Sequence, residues 1–191
     1  TLFFFVLYSL PSFWVAVLLI MLLGGGDFWD VLPVYGISSI GAEEWAFFPW
    51  LVDRISHLIL PITCLTYGGF AYLSRLTRAN MLEVVREDYI RTARAKGLSE
   101  RRVITKHAFR NALLPIVTLL AFLLPAMFGG SVIIESIFSI PGMGQLGFEA
   151  VLGRDYPVIM AITTISALLT LVGLFVSDIL YALLDPRIKL E

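Results

Sequence analysis

The sequence predicts an all-α integral membrane protein, a polytopic helical bundle forming one domain over residues 1–191. Three observations carry this. Hydrophobic residues make up 58% of the 191 and charged residues only 15%, with a mean hydropathy of +0.86, outside the range of water-soluble folds. Four uncharged runs, 1–26, 55–74 (His57 taken as neutral), 111–134 and 156–177, each hold enough residues to cross a bilayer. A helix rising ~1.5 Å per residue needs roughly 20 of them for the ~30 Å hydrocarbon core. The charges collect between the runs, and unevenly: ten of the fourteen Lys and Arg lie in 75–110 against four acids, a net of +6, whereas 24–56 carries five acids and Arg54 alone, a net of −4.

In chain order, the first span is expected over about 1–24. It opens on Thr1 with no basic leader or small-residue cleavage site, so the chain is expected to lack an N-terminal part. The acidic stretch that follows holds Trp29, Trp45 and Trp50, suited to an aromatic belt at the membrane interface or to short helices lying on it. Spans two, three and four are placed at about 57–78, 111–136 and 156–184. Prolines fall in or beside every run (Pro11, Pro61, Pro115, Pro125, Pro157), which packed neighbours make tolerable within a membrane. Cys64, the only cysteine, excludes an intrachain disulfide and reads as a small apolar residue of span two. Because Lys and Arg are retained on the cytoplasmic side, the loop 79–110 is expected inside, with 24–56 and 135–155 outside. Both ends of the chain, including Arg187 and Lys189, then fall inside.

The basic loop carries the most information. Leu82, Val85, Tyr89 and Ala93 recur at three- and four-residue spacing and predict one apolar stripe on a helix. Glu87 stands four residues before Arg91, and Arg94 and Lys96 fall in the last turn, where cations complement the helix dipole. Gly97 permits a left-handed cap, Leu98 links, and Ser99 can cap a second helix through Arg101, Arg102, Val103 and Lys106. On charge alone a solvated basic loop against lipid headgroups suits this segment equally well; the ordered caps favour an element that docks onto a protein.

The same residues resemble a known family. Residues 88–103, Asp-Tyr-Ile-Arg-Thr-Ala-Arg-Ala-Lys-Gly-Leu-Ser-Glu-Arg-Arg-Val, with 107–115, His-Ala-Phe-Arg-Asn-Ala-Leu-Leu-Pro, resemble the EAA loop of ABC-importer inner-membrane permeases, most closely the dipeptide/oligopeptide/nickel branch. Pro-Ser-Phe-Trp at 11–14, the run 75–83, Pro-Gly-Met-Gly at 141–144, Arg-Asp-Tyr-Pro at 154–157 and Leu-Asp-Pro-Arg-Ile at 184–188 fit the same branch, so the resemblance covers nearly the whole chain. Arg91 stands where the general pattern has Glu, and Arg110 where it has the later Pro; both departures mark the peptide branch.

The resemblance implies a type I importer fold and a permease subunit forming half of a translocation pathway for peptides or a related small solute. It implies a second permease subunit, cytoplasmic ABC ATPase subunits that use the ATP, and an extracytoplasmic solute-binding protein, in the cell inner membrane. The coupling loop, 82–107, would present Tyr89, Ala93, Lys96, Gly97, Leu98 and Ser99 to the ATPase, the turn around Ala93, Gly97 and Leu98 entering a cleft on it. Two further spans would precede Thr1, making the four here the third to sixth.

The residues also set limits. No Gly-x-x-x-x-Gly-Lys-Ser/Thr phosphate loop occurs, so the chain is expected to bind no cofactor and hydrolyse no ATP itself. His57 and His107 sit near opposite membrane faces, which argues against a metal site and leaves His57 as an interfacial polar residue. No nucleophile elbow or other catalytic constellation is present, and Tyr89 and Phe109 alone are too few aromatics among the charges for nucleic-acid binding. The rival readings are an ATP-independent channel or secondary transporter, which needs no docking loop, and an intramembrane enzyme or scaffold. Two acids at membrane depth are candidates for a gate or pathway, because ionisable groups there face a cavity or a partner. Glu135 precedes the Pro141 turn, which it alternatively caps; Asp178 lies seven residues before Asp185 and alternatively pairs with a basic residue.

Overall fold

The computed structural model describes residues 9–24 and 28–184. They form α1 (Ser12–Leu23), α2 (Phe47–Val84), α3 (Asp88–Ala95), α4 (Glu100–Arg102), a π-helical segment (Val103–Ala108), α5 (Phe109–Ala112), α6 (Leu114–Gly129), α7 (Val132–Ile137), α8 (Met143–Leu152) and α9 (Tyr156–Leu184). There are no strands among the described residues, and the all-helical fold class is as expected.

Among the described residues, two helices are long and apolar enough to cross a membrane, Phe47–Val84 and Tyr156–Leu183; the bent pair Glu100–Leu119 and Phe122–Ile137 together has the length and composition of a third, broken span. The second expected span lies well inside α2, whose 38 residues reach about 57 Å, nearly twice the hydrocarbon core. Its charges stand toward the two ends, Asp53 and Arg54 at one and Arg75, Arg78 and Glu83 at the other, Arg75 and Arg78 falling within the last turn of the expected span. Helix α1 has 12 residues; residues 1–8 of the expected first span lie outside the described residues. Several hydroxyls of the long helices are satisfied inside their own helix. Thr63, Thr66, Thr77 and Thr170 each donate to the carbonyl four residues earlier, at 2.7–2.8 Å, so they impose no desolvation cost on a lipid-facing surface.

The chain divides into two compact units, Thr1–Ala71 with Gly129–Met160 and Tyr72–Phe128 with Ala161–Glu191. The first is built around Ala16, Val34, Leu60, Cys64, Ile134 and Phe138, so Cys64 is a core residue. Its acidic loop is tied at several points: the Gly36 amide donates to the Phe138 carbonyl (2.8 Å), and Ser39 donates to Asp53 through its amide (2.8 Å) and its hydroxyl (2.6 Å). His57 is buried, its Nδ1 2.9 Å from the Asp53 carbonyl and 3.5 Å from its carboxylate. Trp29 and Trp45 are exposed, and the Arg54 guanidinium lies 4.7 Å over the Trp50 ring.

In the second unit, α6 and α9 are joined by Ser177, whose buried hydroxyl donates to the Val117 carbonyl at 3.1 Å, and by a hydrogen bond between Thr118 and Tyr181. Arg110 donates to the Leu183 carbonyl at 2.7 Å. A separate small core of Ile90, Ala93, Val103 and Ala108 holds the basic loop together.

Candidate functional site

The basic loop is a short helix, a left-handed turn and a returning helix. The stripe expected on one helix is divided between two, because α2 ends at Val84 and α3 begins at Asp88, after a turn at 85–87 closed by the Arg86 and Glu87 amides on the Glu83 and Val84 carbonyls. Leu82 is consequently exposed on the last turn of α2. The buried residues of α3 are Ile90 and Ala93, three apart on one face, packed against Val103 and Ala108 with Met81, Val84, Val85 and Leu98 around them. Arg91 pairs with Asp88 at 3.3 Å, one turn back, instead of with Glu87.

Gly97 adopts φ +76°, the left-handed cap that its place after Ala95 and Lys96 calls for. A β-carbon there would meet nothing within 4 Å, so the residue is required by its backbone angle and not by crowding. The turn is bridged from outside. Arg94 donates from Nε to one Glu100 carboxylate oxygen (3.1 Å) and from a terminal nitrogen to the other (2.7 Å), a two-pronged pair linking α3 to α4. This pair holds the Glu100 carboxyl below its ordinary range and raises the Arg94 guanidinium. Ser99 stands at the N-cap of α4, where its carbonyl accepts the Val103 amide at 3.0 Å. On the other side Tyr89 receives a hydrogen bond from the Asn111 amide nitrogen (3.1 Å), and Asn80 donates to the Ala112 carbonyl (3.3 Å), so the loop is tied to the helices entering and leaving it. Burial pushes the Tyr89 phenol up, with the Asn111 bond opposing.

Of the residues expected at the docking tip, Tyr89, Lys96, Gly97 and Ser99 are exposed and Leu98 is half-buried. Ala93, at 6% exposure, faces the core of the loop. The solvent-facing tip is therefore Lys96, Gly97 and Ser99, with Tyr89 on the flank of α3.

Glu135 occupies a tightly constrained site. Its carboxylate, 8% exposed as a residue, accepts three backbone N–H groups: Ser131 (2.9 Å) and Gly144 (3.3 Å) on one oxygen, Gln145 (2.6 Å) on the other. Ser131 is the N-cap of α7, and Gly144 and Gln145 are the second and third residues of α8. One carboxylate thus caps two helices whose own cap residues, Ser131 and Gly142, supply no side-chain bond. Glycine makes room for it: a β-carbon on Gly130 (φ +63°) would lie 2.1 Å from a Glu135 oxygen, and one on Gly142 2.3 Å from its carboxyl carbon. Of the two readings of Glu135, its geometry is that of the cap on the Pro141 turn. Asp178 is exposed on α9 and has no partner among the described residues; Asp185, two turns on, lies outside them.

Sequence reasoning missed Ile90, the π segment and the Arg94–Glu100 bridge. A signal for Ile90 was present, since it stands three residues before Ala93; the bridge crosses a turn at a six-residue spacing that no helical rule anticipates.

Comparison with known proteins covers this whole arrangement. Residues 1–190 match the family described as binding-protein-dependent transport system inner membrane component. The chain is 49% identical over 181 residues to the oligopeptide transport system permease protein AppB of Bacillus subtilis, covering 95% of this chain and 55% of that one. It is 41% identical over 185 residues to the inner membrane ABC transporter permease protein YejB of Escherichia coli O157:H7, with 96% and 51% covered. Against the dipeptide transport system permease protein DppB of Escherichia coli K12 the identity is 39% over 199 residues, with 95% and 58% covered. The chain therefore spans about half the length of the curated relatives it matches.

Proposed function

The chain belongs to the family of binding-protein-dependent transport system inner membrane components, and from that premise we propose that it is the membrane-spanning permease part of an ATP-driven peptide importer. The observation that carries this reading is the Gly97 turn: a compact helix–turn–helix with its own core, held by bonds to its flanking helices, whose tip is exposed and free of crowding. A rigid tip of this kind suits insertion into a cleft on a separate ATPase, because its internal core lets it transmit displacement without unfolding. Peptides as solute rest on the names of the relatives, and the four-span topology with the loop 79–110 and both ends cytoplasmic rests on charge asymmetry. The chain contributes no ATP site of its own in this scheme; a second permease subunit completes the pathway and a binding protein delivers solute. In this reading Glu135 acts through the turn it fixes, and Asp178, exposed on α9, is the acid we assign to the pathway.

The test is a full-length permease carrying Gly97→Val, purified with its ATPase. We expect normal membrane levels with loss of ATPase copurification or of solute-stimulated hydrolysis. Full transport with a bound, responsive ATPase would overturn the coupling role. Sidedness is tested in a Cys64-free background with an impermeant thiol reagent on intact cells, which should label a cysteine at Ser39 and not one at Lys96; the reverse pattern would overturn the topology.

A further inference from the structure

The ten residues from Arg101 to Arg110 contain four cations and no acid, and the next acid in the chain is Glu135. Glu100, the one acid adjacent, is already engaged by Arg94. Arg101, Arg102 and Lys106 are exposed, have no acidic partner among the described residues, and together with Ser99 and Thr105 line a shallow groove of about 390 Å³. Thr105 donates its hydroxyl to the Arg101 carbonyl at 2.7 Å, which leaves the cations and Ser99 as the polar groups that face outward. Three positive charges without acidic partners around one groove suit an anionic occupant.

We propose that this groove seats the phosphate headgroup of an anionic phospholipid, so that the returning arm of the loop is a lipid-binding site beside the Gly97 tip, with which it shares Ser99. The order of residues along the chain selects lipid over a protein surface. Lys106 stands five residues before Asn111, where the uncharged run begins, about 8 Å at helical rise, and Arg101 about 15 Å. The headgroup layer is about 5–7 Å deep on each side, and charge attraction persists over a Debye length of ~8 Å, so Lys106 and Arg102 come within its reach. Apolar side chains accompany them: Ile104, between Arg102 and Lys106, and Phe109, between Lys106 and Arg110, are exposed on the same arm, and α6 beyond it is almost wholly apolar. Cations interleaved with exposed apolar side chains, on an arm that leads into an apolar helix, are the arrangement of a segment approaching an interface, where Lys and Arg stems extend toward headgroups. The two readings that charge alone left open, a docking element and a headgroup-binding loop, then apply to different faces of one loop. This inference needs only that the 111–136 segment enters a bilayer; it does not depend on which solute is carried.

The experiment reconstitutes the full-length permease into nanodiscs of phosphatidylcholine with or without phosphatidylglycerol, each lipid in turn carrying a photoactivatable headgroup, and maps adducts by mass spectrometry. Phosphatidylglycerol should label 99–109 several-fold more than phosphatidylcholine does. Removing a cation should lower that capture about fivefold, from the roughly 1 kcal/mol that each contributes near a charged surface. The loss should be greatest for Lys106→Gln, less for Arg102→Gln and least for Arg101→Gln, while Arg86→Gln, on the exposed turn at 85–87, changes nothing. Equal labelling by both lipids, or capture that survives the Arg102→Gln/Lys106→Gln double variant, would overturn the proposal. So would a double variant that keeps phosphatidylglycerol capture but loses the copurifying ATPase, since the occupant would then be an acidic protein surface.

Discussion

The Glu135 site and the Gly97 turn are both helix junctions with a left-handed glycine, yet they are held by opposite means. At Glu135 the junction is closed from within: a buried carboxylate takes three backbone N–H groups, glycines at 130, 142 and 144 are needed for space, and Gly130 is needed for its left-handed angle as well. At Gly97 the junction is open: the glycine supplies only its backbone angle, the bridging ion pair faces solvent, and packing lies to one side, in the Ile90–Val103 core. A junction complete in itself serves as a fixed point, and one with an unfilled face serves as a contact. That difference predicts which substitutions destabilise the protein and which disturb only its associations.

The largest effect is expected for Glu135→Ala. It leaves three backbone N–H groups, one in a buried bond and two in part-buried ones, without this acceptor, and bonds to a charged group are each worth about 1.5–3 kcal/mol. Since the buried carboxylate also gives up its desolvation cost, the net loss should be about 3–5 kcal/mol, with Glu135→Gln, which keeps one acceptor oxygen, losing about half. Thermal unfolding of the purified permease reads both. A Glu135→Ala protein of normal stability would remove the distinction between the two junctions.

Next comes Ala93→Asp, which places a charge in the core of the loop against Val103 and Ala108. Burying an unpaired charge there should cost several kcal/mol locally, on the order of 3, and release the loop as a unit. The expected readout is rapid trypsin cleavage within 86–106 in the isolated permease, before any ATPase is added. Lys96→Glu, at the exposed tip, should leave that cleavage unchanged and weaken only ATPase association. Equal protease sensitivity in the two variants would mean that the tip belongs to the loop's core.

The two glycines sharpen the contrast. Gly130→Ala adds a left-handed strain and a β-carbon 2.1 Å from the Glu135 carboxylate, so it should cost at least about 2–3 kcal/mol; Gly97→Ala adds the strain alone, about 1 kcal/mol. Unfolding midpoints of both variants check the ratio, which would collapse if the Glu135 side chain moved aside freely.

Much of this was legible before any coordinates. The long apolar helices follow from uncharged runs, and the cap at Gly97 follows from Lys-Gly-Leu-Ser, because glycine alone adopts that angle without strain. Glu135 was recognisable as a cap but not as a cap for two helices, since Gly144 and Gln145 lie nine and ten residues away and only folding brings them to it. The break at 85–87 carries no Gly or Pro, and Val-Val-Arg-Glu reads as helix; it is set by the loop core pulling Ile90 and Ala93 inward. The π segment is invisible for the same reason, its residues being ordinary helix formers whose register is decided by packing.

The smallest effect, and the finest probe of the open junction, is expected at Glu100. Arg94 holds its carboxyl below the ordinary range, so the pair's contribution is fully present above that range and is lost as pH falls through the lowered value. Both side chains are substantially exposed, 39% for Arg94 and 56% for Glu100, and water and salt screen such pairs strongly. Amide exchange of residues 96–100, corrected for its intrinsic pH dependence, should therefore differ only about a few-fold between the parent and Glu100→Gln at neutral pH. The difference should shrink in high salt and vanish in acid, where the parent's carboxylate is protonated and the variant has nothing to titrate. A difference that persisted in acid or in high salt would show that Glu100 shapes the turn by packing and not by charge. The Gly97 junction would then be closed on that side too, and nearer in kind to the one at Glu135.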